Sequence, residues 1–420
     1  MENKEKVVFE NQNNFRVLNQ IRVMDSLKKG PKSCVVLSEE LSLSFTAIAK
    51  IVNELCESGL TIMLPGHPDP EKKAGRRPAF VALNNKLGVF AAIDFSNRDI
   101  GIALSSLDDT ILIEESLEED DLISEETLAK VARKIETLLT AKNVAGMPLL
   151  GVCISTPGLL DSEGNYIFAH RIADYQHLNM KRYFSAHFHV DVSVYHDVKL
   201  GCVGERVFGA IPKEAQNVYF AFIDNDAGSS FFLNGHLYSG AHGLAGEVND
   251  LKGIDEESKS SRNGQFFTLE DIRDEVKKSL AKVAKHPLKG QKHYHVKDLA
   301  ALYLSGDEIV SAAVDKSARY NAIQLLSIAN LLDVEYLVIQ GRILEFGESY
   351  RNLLIHYFSA YDMNRSTAKI VFSSLGSRAN LLGAVYQGAN IYRLKRFGEM
   401  TAKRTLSEDY DVREYFGDNI

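Results

Sequence analysis

The chain has 420 residues, 45% hydrophobic and 25% charged, which is too long for one ordinary core and fits two or three globular domains. No run of about 18 apolar residues occurs, the charged start lacks an export-signal core, and Cys34, Cys56, Cys153 and Cys202 form no CxxC pair; this argues against a membrane span, secretion, a disulfide framework or a cysteine zinc site and points to a reduced, bacterial-type cytoplasm. The net charge of −8 is uneven: residues 1–86 carry 13 Lys/Arg against 10 Asp/Glu and the remainder 35 against 46, so any contact with nucleic-acid phosphates belongs to the first segment.

In chain order, Phe15–Lys29 places Leu18, Ile21 and Met24, with Val17 beside them, on one helical stripe that Gly30-Pro31 stops. A second short helix over Ser33–Leu41 is expected to pack Val36, Leu37 and Leu41. Ser42-Leu43-Ser44 forms the turn, with Ser44 as N-cap of a third helix that buries Ile48, Ile51, Val52 and Leu55. The opposite face presents Phe45, Thr46, Lys50 and Asn53, the geometry of a recognition helix in a major groove. Ser44, Phe45, Thr46, Ala47 and Lys50 are therefore candidate DNA contacts. Extended stretches at Thr61–Leu64 and Pro78–Leu83 flank a loop and predict a wing. Arg76 and Arg77, held between Gly75 and Pro78, suit a narrow minor groove or phosphates. The turn lacks the central glycine of many helix-turn-helices, and a three-helix protein-interaction domain with solvated arginines is the alternative.

From Leu87 strands alternate with helices, an α/β pattern. Strands are expected at Gly88–Asp94, Ile100–Leu104, Leu149–Ser155, Val190–Tyr195, Val218–Ile223 and Tyr336–Ile339, and helices at Glu125–Thr140 and Ser317–Leu332. The acidic Asp108–Glu126 stretch reads as solvated surface.

Five short motifs follow one another in this body: Ser155-Thr156-Pro157-Gly158-Leu159, Tyr195-His196-Asp197 with Gly204-Glu205, Gly243-Leu244-Ala245-Gly246-Glu247, Val338-Ile339-Gln340-Gly341, and Leu375-Gly376-Ser377. In order and spacing the chain resembles the ROK family (repressors, open reading frames and sugar kinases), in its repressor branch with an N-terminal winged helix. The resemblance implies an α/β fold: a winged helix-turn-helix at 1–86 and a two-lobed, actin-like and ribonuclease H-like sugar-kinase body. The lobes would span 87–204 with 377–395, and 205–376, followed by a tail at 396–420.

By the same resemblance Asp197 occupies the position of the kinase base, a carboxylate able to accept a hydroxyl proton. The phosphate turns depart from the family pattern. The first reads Asp94-Phe95-Ser96-Asn97-Arg98, where a bulky Phe and the lack of glycine are expected to block close approach of a phosphate. The second reads Asp224-Asn225-Asp226-Ala227-Gly228, with two carboxylates where phosphates would lie. Zinc-containing relatives carry a histidine and a cysteine cluster after the glutamate motif. Here Asp250 stands at the histidine position and Leu251–Gln265 has no cysteine, so neither a metal nor another cofactor is expected, and Asp255–Ser261 is expected to be a mobile loop.

The implied effector site comprises Arg171, His196, Asp197, Glu247 and Asp250, with Lys199 nearby. Its basic residues suit a sugar phosphate or sugar acid gripped by Arg171; the plainer expectation is that Arg171 pairs with Asp174 or Asp161 and that His196 is an ordinary buried histidine. The sequence thus implies a sugar-responsive DNA-binding regulator, catalytically inactive, that acts as a homodimer or tetramer on a double-stranded operator and closes its lobes on an effector. An active ATP-dependent sugar kinase, a regulator governed by a protein partner, and a scaffold that binds no DNA remain open.

Overall fold

The computed structural model describes residues 16–65, 79–118, 122–161, 163–169, 171–248, 252–254, 261–263, 266–362 and 366–402. They fall into two compact units: Met1–Gly158 with Gly164–Tyr195 and Ala384–Ile420, and Leu159–Glu163 with His196–Gly383.

The first unit opens with helix α1 (residues 16–27), strand β1 (Lys32–Ser33), helices α2 (Cys34–Leu41) and α3 (Phe45–Glu57), and strands β2 (Thr61–Leu64) and β3 (Phe80–Leu83). The strands form an antiparallel sheet in the order β1-β3-β2, which is a winged helix. In α3 the expected stripe is buried: Ile48, Ile51, Val52 and Leu55 all face the core. The inward stripe of α1 differs from the expected one. Val17, Gln20, Val23, Met24 and Leu27 are buried, whereas Leu18 is 50% exposed. A polar residue disguises the pattern, because Gln20 Nε2 donates to Glu54 Oε2 at 3.1 Å in the interior. In α2 only Leu37 and Leu41, one turn apart, point inward, and Val36 is exposed.

The rest of this unit contains β4 (Val89–Asp94), β5 (Asp99–Ser105), β6 (Ile111–Glu118), α4 (Glu125–Leu139), β7 (Leu149–Thr156), β9 (Tyr166–Phe168), α5 (Met180–Phe188) and β10 (Asp191–His196), of which His196 falls in the second unit; β8 (Leu159–Leu160) also lies there. The sheet runs β6-β5-β4-β7-β10, with β4, β5 and β6 antiparallel and β7 parallel to β4. The acidic stretch is thus not simply solvated surface. Part of it is the edge strand β6, and Asp109 ahead of it is buried in an ion cluster.

The second unit repeats the plan. It holds α6 (Asp197–Phe208), β11 (Val218–Ile223), β12 (Ala227–Leu233), β13 (His236–Leu237), a hairpin of β14 (Lys252–Ile254) and β15 (Ser261–Asn263), α7 (Leu269–Leu280), α8 (Val296–Leu304), α9 (Glu308–Leu332), β16 (Tyr336–Gln340), α10 (Gly347–Asp362) and β17 (Lys369–Phe372). Its sheet runs β13-β12-β11-β16-β17, again an antiparallel meander followed by parallel strands. Two copies of this strand order are the duplicated ribonuclease H-like body. Residues 255–260 of the expected loop lie outside the described residues.

Helix α11 (Ala379–Ala402) has its first residues in the second unit and the remainder in the first. The units divide at Tyr195/His196, ahead of α6, where the sequence division at Gly204 would cut a continuous helix. Leu394 and Phe397 of α11 share one core with Val23, Leu27, Leu55 and Leu60 of the winged helix and with Phe90 and Leu107. Among the described residues no helix is long and apolar enough to cross a membrane.

Glu54 is 4% exposed and also receives Arg16, at 3.1 Å from Nε and 2.7 Å from Nη2. Removing it leaves the buried Gln20 amide without this acceptor and the half-buried Arg16 without this carboxylate, so Glu54→Ala should cost about 2–3 kcal/mol. Chemical denaturation followed by circular dichroism checks this as an earlier first transition; an unchanged midpoint contradicts it.

Candidate functional site

Caps and turn geometry set the helix-turn-helix. Ser33 Oγ accepts from Val36 N–H at 3.3 Å and Ser44 Oγ from Ala47 N–H at 3.2 Å, starting α2 and α3. Ser42, at φ 54°, takes the left-handed position that glycine commonly fills. Bonds from Leu43 N–H to Ser38 O (3.1 Å) and from Ser38 Oγ to Leu43 O (2.5 Å) hold that strained turn. With its apolar stripe inward, α3 exposes Ser44, Phe45, Thr46, Lys50 and Asn53, while Ala47 is half-buried. Phe45 is 56% exposed. Arg76 and Arg77 lie outside the described residues.

The two turns that would cradle a nucleotide close on themselves. In the first, Asp94 is buried and its carboxylate accepts from Ser96 N–H at 3.1 Å and Ser96 Oγ at 2.9 Å. Arg171 Nη1 donates to Ser96 O at 2.6 Å and to Phe95 O at 3.5 Å. The Phe95 ring is fully buried, so it does not block the turn as expected. What closes the turn is the capture of its Ser96 amide by Asp94. In the second turn Asp224 N–H donates to Asp226 O at 2.9 Å and Asn225 N–H to Asp224 Oδ1 at 2.7 Å. Here too the electrostatic expectation needs correction. Arg342 grips Asp224 through Nε (3.1 and 3.0 Å) and its own amide (3.1 Å), so the paired carboxylates do not act as two uncompensated charges. A phosphate cradle needs free N–H groups, and these amides are already used.

On the sugar side of the first unit, Thr156 Oγ1 and Tyr166 Oη bond at 2.7 Å. Gly158, at φ +100°, admits no side chain, since a Cβ would lie 2.9 Å from Phe168 O. In the second unit, the β10–α6 junction delivers His196, Asp197 and Lys199. His196 Nε2 stands 3.6 Å from Asp197 Oδ1, and Asp197 Oδ1 accepts from Val198 N–H at 2.7 Å. Lys199 is buried and donates from Nζ to Gly243 O at 2.7 Å, at the head of the segment that carries Glu247. Ser229 holds the other end, through N–H (3.1 Å) and Oγ (2.9 Å) to Gly246 O. Gly246 is required there, because a Cβ would lie 2.2 Å from Ser229 O.

Burial lowers the pKa of His196, with Glu247 opposing and Lys199 assisting the shift. Burial also lowers that of Lys199, again opposed by Glu247. A lowered pKa favours the neutral imidazole of His196, and Lys199 donates to a backbone carbonyl close to the carboxylate of Glu247. The structure therefore brings His196, Asp197 and Glu247 together, adds Lys199 as the support of the Glu247 segment, and attaches Arg171 to the first phosphate turn. Asp250 lies outside the described residues. Arg342 was not singled out in the sequence, although its place directly after Gln340-Gly341 puts it beside the second turn.

Comparison with known proteins gives the same picture. The ROK family model matches residues 90–388. The xylose repressor of Bacillus spizizenii is 26% identical over 370 residues, 88% of this chain and 94% of that protein, a share that residues 90–420 cannot supply without the first segment. A glucokinase of Halalkalibacterium halodurans is 21% identical over 267 residues, 60% of this chain and 80% of its own. The crystal structure of a ROK family transcriptional regulator, a homologue of E. coli Mlc, superposes with a TM-score of 0.73 at 21% identity and covers 91% of this chain and 99% of its own. A winged helix ahead of a duplicated ribonuclease H-like body, with the family match across most of that body, identifies this chain as a member of the ROK family.

Proposed function

We propose that the chain is a sugar-responsive transcriptional repressor whose kinase-like body senses an effector and no longer phosphorylates it. One observation carries this reading: an exposed recognition-helix face stands in the same chain as phosphate turns whose amides are internally bonded. Repressor relatives match along almost the whole chain, which supports it further. Ser44, Phe45, Thr46, Ala47 and Lys50, with Arg76 and Arg77, would contact an operator; His196, Asp197, Glu247, Arg171 and Asp250 would contact the effector. The protein would act as a homodimer or tetramer, because half-sites one turn apart are read together.

The buried cluster favours a neutral, hydroxyl-rich sugar over an anion. Carboxylates such as Asp197 and Glu247 accept from ring hydroxyls and disfavour an anionic ligand beside them. D-xylose is the first compound to try, since several relatives are xylose repressors. Calorimetric titration should give tighter binding of D-xylose than of its phosphate or its acid; preference for the anion refutes the neutral-sugar assignment.

The lowered pKa of His196 sets a pH signature. Below the ordinary histidine value of 6.5 the unfolded chain takes up a proton that the folded site resists, so folding stability declines as pH falls through that range. Above it the imidazole is neutral in both states. Sugar affinity should therefore stay level from pH 7.5 to 6.5, whereas a protonating histidine would make it drift.

Footprinting on selected genomic fragments should reveal a two-fold site with half-sites about 34–36 Å apart or a multiple of that. Lys50→Ala should weaken binding and, if Lys50 meets a phosphate, reduce the salt slope by about 1. Coupled ADP-release assays with ATP and sugar should stay at background. Turnover of about 1 s⁻¹ or more, the ordinary kinase range, would instead make the chain an active kinase.

A further inference from the structure

Helix α11 belongs to both units, and each of its ends is fixed to a different functional element. Its start lies against α6, the helix that begins with Asp197 and carries Lys199. Glycines allow backbone to meet backbone there: a Cβ at Gly204 would lie 2.1 Å from Ala379 O, and one at Gly383 would lie 2.0 Å from Leu200 O. Such a contact leaves no side-chain layer to absorb movement, so the two segments move together.

The later turns of α11 grip the winged helix through charges. Arg393, with 5% of its side chain exposed, donates from Nη1 to Leu107 O at 2.7 Å and to Asp109 Oδ1 at 3.1 Å. The other oxygen of Asp109 receives Lys28 Nζ at 2.7 Å, just past the end of α1. Lys28 and Arg393 both lie over the Tyr386 ring, at 4.9 and 5.7 Å. Near the next turn Arg396 Nη2 donates to Ser58 O at 2.9 Å, at the end of α3. Apolar packing alone would hold these elements as firmly, since a buried ion group gains little net stability. A carboxylate shared between two cations adds geometry: it is satisfied in one arrangement and leaves a buried charge unpaired in others.

We propose that α11 carries the effector state of α6 to the recognition helix, with the Lys28–Asp109–Arg393 cluster and the Arg396–Ser58 contact as its joint. Its ligands rest on the regulator reading above; the joint itself does not. Operator affinity with and without D-xylose, and D-xylose affinity with and without operator, are measured on the full chain and on Lys28→Gln, Arg396→Gln and the double variant. Linkage makes the two ratios equal, ordinarily about 5- to 150-fold. In the double variant both should fall to about 2-fold or less, while D-xylose affinity of the free protein is unchanged. Ratios that stay at the wild-type value, even with weaker operator binding, overturn the proposal, because a merely structural role lowers affinity without uncoupling.

If the wild-type chain shows no operator site or no response to D-xylose, the regulator reading fails, and a ligand-free arm still judges the joint. Gly383→Ala forces the start of α11 from Leu200 O. Hydrogen exchange in residues 16–27 and 45–57 should then quicken by about threefold or more, and this change should vanish in the Lys28→Gln, Arg396→Gln background. A change confined to residues around 379–395 overturns the proposal.

Discussion

The close approach of α6 and α11 is the constraint on which the rest of the molecule depends. Two helices whose backbones touch at Gly204 and Gly383 cannot slide independently, and each carries a different responsibility. The first turn of α6 supplies Asp197 and Lys199; the last turns of α11 share a core with the winged helix. Asp197 thus stands at the start of α6, and the later turns of α11 stand in the core of the winged helix. Glu205, on the same face of α6 and fully buried, strengthens the arrangement by accepting from Ala210 N–H and Leu375 N–H, which ties both flanks of the pair to its centre.

The nucleotide side follows a different logic. The chain keeps the positions of both phosphate turns but turns their polar groups inward. Asp94 caps its own turn, Asp224 caps the other, and Arg171 and Arg342 fasten each from outside. A catalytic cradle must hold unsatisfied donors ready for a ligand, which is costly to maintain. The Glu247 segment shows the opposite treatment: Lys199 and Ser229 anchor its ends while its carboxylate stays at the margin of the interior.

Much of this was legible in the sequence because it rests on local patterns. The recognition helix announced itself through apolar spacing and a serine cap, and the body through motif order. What stayed hidden depends on partners far along the chain. The inward place of Gln20 has no local signal, because its acceptor, Glu54, lies 34 positions away. Asp109 looked like one more charge in an acidic run, since nothing local shows that Lys28 and Arg393 converge on it. Phe95 was read as an obstacle because a sequence does not tell which way a ring points. Lys199 read as a source of positive charge for a ligand, whereas its nearest acceptor is a backbone carbonyl of its own fold.

The edge strand β6 has a separate consequence. An edge presents unpaired amides and carbonyls to any strand that approaches, and in many proteins this invites runaway association. Glu114, Glu115 and Glu118 stand exposed along this one. A second molecule adding to the sheet in register would set carboxylates opposite one another, where like charges repel across a few ångströms. The same acidity that weakens any contact of the body with nucleic-acid phosphates therefore guards its sheet against fibre-like growth.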